Sequence, residues 1–134
     1  MADLAKVSGH VDVIGRAIVS IVSVTTGDPF LATVDTGFNR ALLTSTQDAP
    51  TLGVRLGQKN QPVVLGDGRS VLLQRGNLVI DWLGARREVD VHIGDEPSRG
   101  GDGRPLALIG ALVLSPHLLL VDYAAQTVEI ETQA

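Results

Sequence analysis

Asp35, Thr36 and Gly37 stand together between two apolar runs, Leu31-Ala32-Thr33-Val34 before them and Ala41-Leu42-Leu43 after. A carboxyl on a glycine turn beyond a strand can take a proton when ionised and give one when protonated, the two halves of general acid–base catalysis. The same three residues also make a plain acidic turn. A chain with 11 Asp, 9 Thr and 15 Gly contains the tripeptide by chance roughly 0.08 times, so its surroundings must decide between the two readings.

Other chemistries find less support. The chain has no cysteine, which excludes disulfides, zinc ribbons, thiol catalysis and iron–sulfur clusters. His10, His92 and His117 fall in no metal-ligand spacing and read as surface or strand histidines, so neither a metal nor another cofactor is expected. There is no Gly-x-Ser-x-Gly element for a serine nucleophile. Asp81, Asp90 and Asp122 lie in or beside strand-like runs without the glycine turn and read as structural.

The elements that must position Asp35 are strands. Val (17) and Ile (7) are abundant, and β-branched side chains favour pleated surfaces over helices. They fall in short runs at Ile18–Val24, Phe30–Val34, Val63–Leu65, Val71–Leu73, Leu78–Trp82, Glu88–Ile93, Leu118–Val121 and Thr127–Ile130. Turn residues separate the runs, among them Gly66-Asp67-Gly68, Gly84 and a long surface loop from Gly94 to Gly103. Many short strands with Gly and Pro punctuation predict an all-β barrel or sandwich. Two short helical turns are expected. One is near Thr46–Leu52, with Ser45 or Thr46 as cap and Gly53 as stop, and one comes after Gly110. Arg86-Arg87 reads as a solvated hairpin edge.

An internal echo gives these runs a plan. The hairpin Ile18–Val24/Phe30–Val34 leads into Val34-Asp35-Thr36-Gly37 and then Ala41-Leu42-Leu43. The hairpin Leu78–Trp82/Glu88–Ile93 leads, after the long loop, into Leu108-Ile109-Gly110 and then Ala111-Leu112-Val113. A hairpin around Gly66-Asp67-Gly68 lies between the two units.

Length and charge bound the rest. The 134 residues fit one domain, 1–134, large enough to bury a core, and 44 % apolar against 19 % charged residues argues against disorder. Eleven basic against 15 acidic side chains leave a net charge of −4, which speaks against a nucleic-acid partner. The N-terminal residues lack the layout of a secretion signal. The apolar stretch Leu106–Val121 is broken by Gly110, Ser115, Pro116 and His117 and is shorter than the ~20 residues of a spanning helix, so direct membrane insertion is not expected. A cytoplasmic location is the expectation.

In order and spacing, Val34-Asp35-Thr36-Gly37-Phe38 with Leu42-Leu43, the hairpin Leu65-Gly66-Asp67-Gly68-Arg69, and Leu108-Ile109-Gly110 resemble a retropepsin-like aspartic protease of the single-domain kind also found in bacteria. The resemblance spans Val11 to Ile130 and implies a retropepsin-like β-barrel with one or two short helices, working as a homodimer that cleaves a peptide or protein substrate. Such enzymes activate water between two carboxyls that share one proton, because neighbouring like charges cannot easily both ionise. This chain supplies one Asp-Thr-Gly, and its second unit carries no acid in the equivalent place, so the dyad would be Asp35 and its symmetry mate. The resemblance makes Asp35, Thr36 and Gly37 the catalytic motif. It makes Phe38, Asn39, Leu42, Leu106 and Leu108 the cleft, and Leu65, Gly66, Asp67 and Gly68 a flap over the substrate.

Viral relatives carry an acid two residues after the motif glycine and an arginine directly after the apolar-apolar-glycine. Here those positions are Asn39 and Ala111, so both members of that pair are replaced together and no buried charge is orphaned. A non-catalytic dimeric peptide-binding module, or a structural dimer, is the alternative on the same fold.

Overall fold

The computed structural model describes residues 5–64 and 67–132, without the side chains of residues 58–61. Leu65 and Gly66, two of the expected flap residues, lie outside the described residues. The elements in chain order are β1 (Lys6–Val11), β2 (Ala17–Ser23), β3 (Pro29–Val34), β4 (Leu42–Ser45), α1 (Ala49–Leu52), β5 (Arg55–Val64), β6 (Ser70–Trp82), β7 (Ala85–Gly94), β8 (Ser98–Arg99), β9 (Pro105–Ile109), α2 (Ala111–Leu114), β10 (Leu118–Asp122) and β11 (Thr127–Glu131).

Six strands close a barrel in the order β2-β3-β9-β4-β7-β6, and the ring is sealed where Val22 and Ser23 pair with Asp81 and Ile80. The other half of the same β2 edge pairs with β1, which carries β11 and then β10 outward as an antiparallel extension. On the far side β5 lengthens β6 into a long hairpin. Alternation sets which faces turn inward: Val128 and Ile130 of β11 are buried between more exposed neighbours, as are Leu78, Ile80 and Trp82 of β6. One apolar cluster results, with Val19, Ile21, Leu42, Ile80, Val91, Ile109 and Val113 at its centre. Each such side chain contributes about 1.5–3 kcal/mol by leaving water.

The all-β barrel with two short helices is thus present, and four local expectations change. Val71–Leu73 and Leu78–Trp82 are one continuous strand, β6, because β5 and β7 give it partners along its whole length. The Gly94–Gly103 segment is not wholly loop, since β8 pairs with β9 at Ser98↔Leu106 and Arg99↔Pro105. The first helix begins later than expected, at Ala49 with Asp48 as its cap residue. It does end at Gly53, whose φ of 81° is left-handed backbone that glycine adopts without strain.

The fourth change concerns the echo. β3 and β9 lie side by side and parallel, with Thr33↔Leu108 and Val34↔Ile109, so the two units do meet at their glycine turns. Beyond the turns they part. Leu42 and Leu43 enter β4, which bonds both β7 and β9, whereas Ala111–Leu114 form a helical turn.

Candidate active site

Asp35 leaves the end of β3 and is held from below by β9. Its backbone N–H donates to the Ile109 carbonyl at 2.9 Å, and its own carbonyl accepts the Phe38 N–H at 3.1 Å. The Gly37 N–H donates to Asp35 Oδ1 at 3.0 Å, fixing the carboxyl against the turn that carries it. Returning from the loop, the Ala41 carbonyl accepts the Gly110 N–H at 2.9 Å and the Phe38 carbonyl accepts the Ala111 N–H at 2.8 Å. The Asp35 loop and the Gly110 turn are therefore stitched together by backbone hydrogen bonds.

Gly110 is what lets them approach. A Cβ there would sit 2.3 Å from the Arg40 carbonyl oxygen and 2.5 Å from that of Phe38. No other residue type fits without displacing the loop.

Exposure sorts the expected residues. Asp35 is half-buried, and Thr36, Gly37 and Asn39 face solvent. Phe38 and Leu42 are 3 % and 1 % exposed, and neither is among the residues that line the groove beside Leu106 and Leu108. Leu42 belongs to the apolar cluster, and Phe38 stands edge-on to the buried His92. Asp67 and Gly68 lie exposed at the β5/β6 tip. Asp67 accepts the Arg69 N–H at 3.0 Å and the Arg69 Nε–H at 2.6 Å, and these bonds, the backbone one foremost, hold its carboxyl below the usual range.

Leu106 and Leu108 do line a groove, of about 440 Å³, between β9, β4, the end of the β5/β6 hairpin and the segment after β7. Its remaining walls include Leu43, Ser45, Val71, Leu73, Asp95 and Ser98, and Asp35 is not among them. Strand alternation was the available signal for Leu43, since its neighbour Leu42 points into the core. Nothing in the sequence brings Asp95 and Ser98 to Leu106 without the β8/β9 pairing.

Charged groups brace the region. Arg99 of β8 donates to Asp48 Oδ2 at 2.6 Å, and the Asp48 side chain is only 6 % exposed. Arg16, itself bound to Asp12 Oδ2 at 2.7 Å, donates to the Arg99 carbonyl at 3.3 Å. Arg87 is half-buried and donates to the Leu112 carbonyl at 3.1 Å, so the arginine pair is not wholly a solvated edge. Asn39 and Ala111 thus do without a charge pair of their own, while Arg87 reaches α2 from β7.

The other acids have work elsewhere: Asp90 is paired with Arg75, and Asp122 Oδ1 accepts the Ala125 N–H. His10 is exposed on β1, His117 stands edge-on to Trp82, and His92 is 1 % exposed with its ring edge-on to Phe38. Among the described residues no group of three or more His, Asp or Glu could hold a metal ion, and no helix is long and apolar enough to cross a membrane.

No family model and no curated protein matches the chain by sequence. Its structure is similar to the crystal structure of a retropepsin-like aspartic protease from Rickettsia conorii, with a TM-score of 0.63 and 12 % identity over 98 % of this chain and 94 % of that one. The closed six-strand barrel with its two short helices agrees with that likeness, and the chain has the retropepsin-like fold.

Proposed function

We propose that this chain is an aspartic endopeptidase that works as a homodimer, with Asp35 and its symmetry mate as the dyad. The observation that carries the reading is the Asp35-Thr36-Gly37 loop itself, locked to the Gly110 turn by backbone bonds and exposed at Thr36 and Gly37. A second copy could approach those residues along a twofold axis. In the reaction the ionised carboxyl takes a proton from water as its oxygen attacks the peptide carbonyl, and the protonated one gives its proton to the carbonyl oxygen. Collapse of the tetrahedral species then breaks the C–N bond, with a proton passed to the leaving nitrogen. The groove beside Leu106 and Leu108 would take substrate side chains, and the β5/β6 hairpin would close over them.

The test is cleavage of a mixed peptide library by purified wild type and by Asp35→Asn across mildly acidic to neutral pH, with mass determination in solution. The reading expects cleavage by a dimeric wild type and a rate loss of several orders of magnitude in the variant. Equal cleavage by both, no cleavage by wild type, or a stable monomer at assay concentration would sink it. That the groove does not include Asp35 favours a second reading, a dimeric module that binds peptides without cutting them. For that module both proteins would bind peptide equally and neither would cleave.

A further inference from the structure

His92 lies in the middle of β7, between Leu43 of β4 and Arg75 of β6 in the strand register. It is 1 % exposed, and its imidazole meets the Phe38 ring at right angles, with an interplanar angle of 88° and centroids 6.5 Å apart. Such edge contacts add to the stabilisation from burial alone. Phe38 is also the hinge of the loop above: its N–H binds the Asp35 carbonyl, and its carbonyl binds the Ala111 N–H. One imidazole therefore supports the residue that ties Asp35 to the Gly110 turn.

The charges around His92 favour its neutral form. Burial is the first cause, followed by the positive charges of Arg40 on the loop and Arg75 on β6. Among the described residues Asp90, on β7 itself, acts the other way, and it is paired with Arg75. From β4 the register partner is uncharged Leu43. Together these hold the imidazole below its ordinary range.

Protonating His92 in the closed structure would put a further cation in a buried site that already feels Arg40 and Arg75, so the proton is best accommodated once a neighbour moves and water enters. Of those neighbours, β4, β6 and β7 are tied into the barrel. The Asp35–Arg40 segment lies outside every strand and exposes Thr36, Gly37 and Asn39, which makes it the part that opens at least cost. We propose that His92 is a positioning residue for the Asp35 loop and that its protonation releases the loop through Phe38, so the candidate site stays assembled only while the imidazole is neutral.

The sign comes from linkage. Above the ordinary imidazole value of about 6.5 both closed and open states are neutral, and pH has no effect through this group. As pH falls below that value the open state gains the proton first, so closure weakens until the closed state titrates too. This opposes the acid preference expected of a carboxyl dyad.

The experiment is amide exchange by NMR on the labelled full chain, with its histidine resonances followed from about pH 7.5 to 4.5 to bracket the ordinary imidazole value. After division by the intrinsic exchange rate, the opening of the Phe38 and Ala111 amides should rise about tenfold per pH unit below the ordinary value, the slope for one proton. The Ile80 amide, in the barrel, should not change with them. In His92→Phe, an uncharged ring at the same place, the loop amides should stay protected and the slope should vanish. Uptake of the proton by His92 with Phe38 and Ala111 protection unchanged would overturn the proposal, as would an unchanged slope in His92→Phe. The wild-type titration decides alone if that variant does not fold. The inference takes the Asp35 loop as the candidate site, but exchange reads the loop and not turnover, so a chain that cleaves no peptide still answers it.

Discussion

Replacing Gly110 with alanine adds one methyl group at the tightest point of the candidate site. The backbone there has φ −111° and ψ −175°, extended values that alanine adopts freely, so the whole cost is contact. The new carbon would fall 2.3 Å from the Arg40 carbonyl oxygen, 2.5 Å from the Phe38 carbonyl oxygen and 2.6 Å from Phe38 Cδ2. Two of these three atoms are backbone, so rotamer changes cannot relieve the clash. Overpacking in a filled interior costs about 1–3 kcal/mol. Moving the loop to make room stretches the Gly110-to-Ala41 and Ala111-to-Phe38 hydrogen bonds, each worth about 1 kcal/mol. A loss of about 3 kcal/mol is expected. In urea, with a slope of about 2 kcal/mol per molar, the midpoint should fall by about 1.5 M with the slope unchanged. Gly101→Ala is the control, because a Cβ there meets nothing within 4 Å, and its cost should stay within about 0.5 kcal/mol. A midpoint shift below about 0.5 M for Gly110→Ala, or equal shifts for the two variants, would refute the idea that close approach at Gly110 holds the Asp35 loop.

Removing the Arg99 guanidinium strands the Asp48 carboxylate, whose side chain is 6 % exposed, while removing Asp48 leaves an Arg99 that is 32 % exposed and can reach water. Arg99→Ala should therefore cost about 3 kcal/mol and Asp48→Ala distinctly less, an order that thermal melts of the two variants will check. Leu72, 70 % exposed on the hairpin beside the groove, can be changed to serine with a stability change within about 0.5 kcal/mol. Peptide binding measured by fluorescence anisotropy should nevertheless weaken in Leu72→Ser, and unchanged binding would take the hairpin out of the site. Asp35→Asn should abolish cleavage while leaving the urea midpoint close to wild type, as scored by the library assay and the same denaturation curve.

How much of the molecule is legible in its sequence differs from segment to segment. The runs at Ile18–Val24, Phe30–Val34 and Thr127–Ile130 stand out because their apolar side chains pack on both faces or alternate cleanly. β5 does not, beyond its end at Val63, because among the described residues it pairs only with β6 and so tolerates a polar sequence and even Pro62. β1 is hidden by its mixed Lys-Val-Ser-Gly-His-Val pattern and exists because β2 and β11 both offer it partners. The Asp35 tripeptide and its opposite number at Leu108-Ile109-Gly110 are readable as an echo, since similar turns need similar residues. The segments that leave the two turns are not. Ala41-Leu42-Leu43 and Ala111-Leu112-Val113 are nearly the same text. The first has strands to bond on both sides, while the second bonds the Phe38 and Arg40 carbonyls with its leading amides and closes on itself. The groove is illegible for a related reason: its walls come from four segments that only strand register brings together.

The placement of β9 between β3 and β4 has a consequence for the order of assembly. β3 and β4 are near neighbours in the chain, yet neither bonds the other, because the strand that joins them arrives only at Pro105–Ile109. Pairing Leu31 with Leu106 closes a long loop, and contacts of that range form late. A growing polypeptide on the ribosome therefore carries Asp35 without the partner that shapes the turn around it until Pro105–Ile109 have been made. The corner of the barrel that carries Asp35 is completed only once β9 has joined β3 and β4.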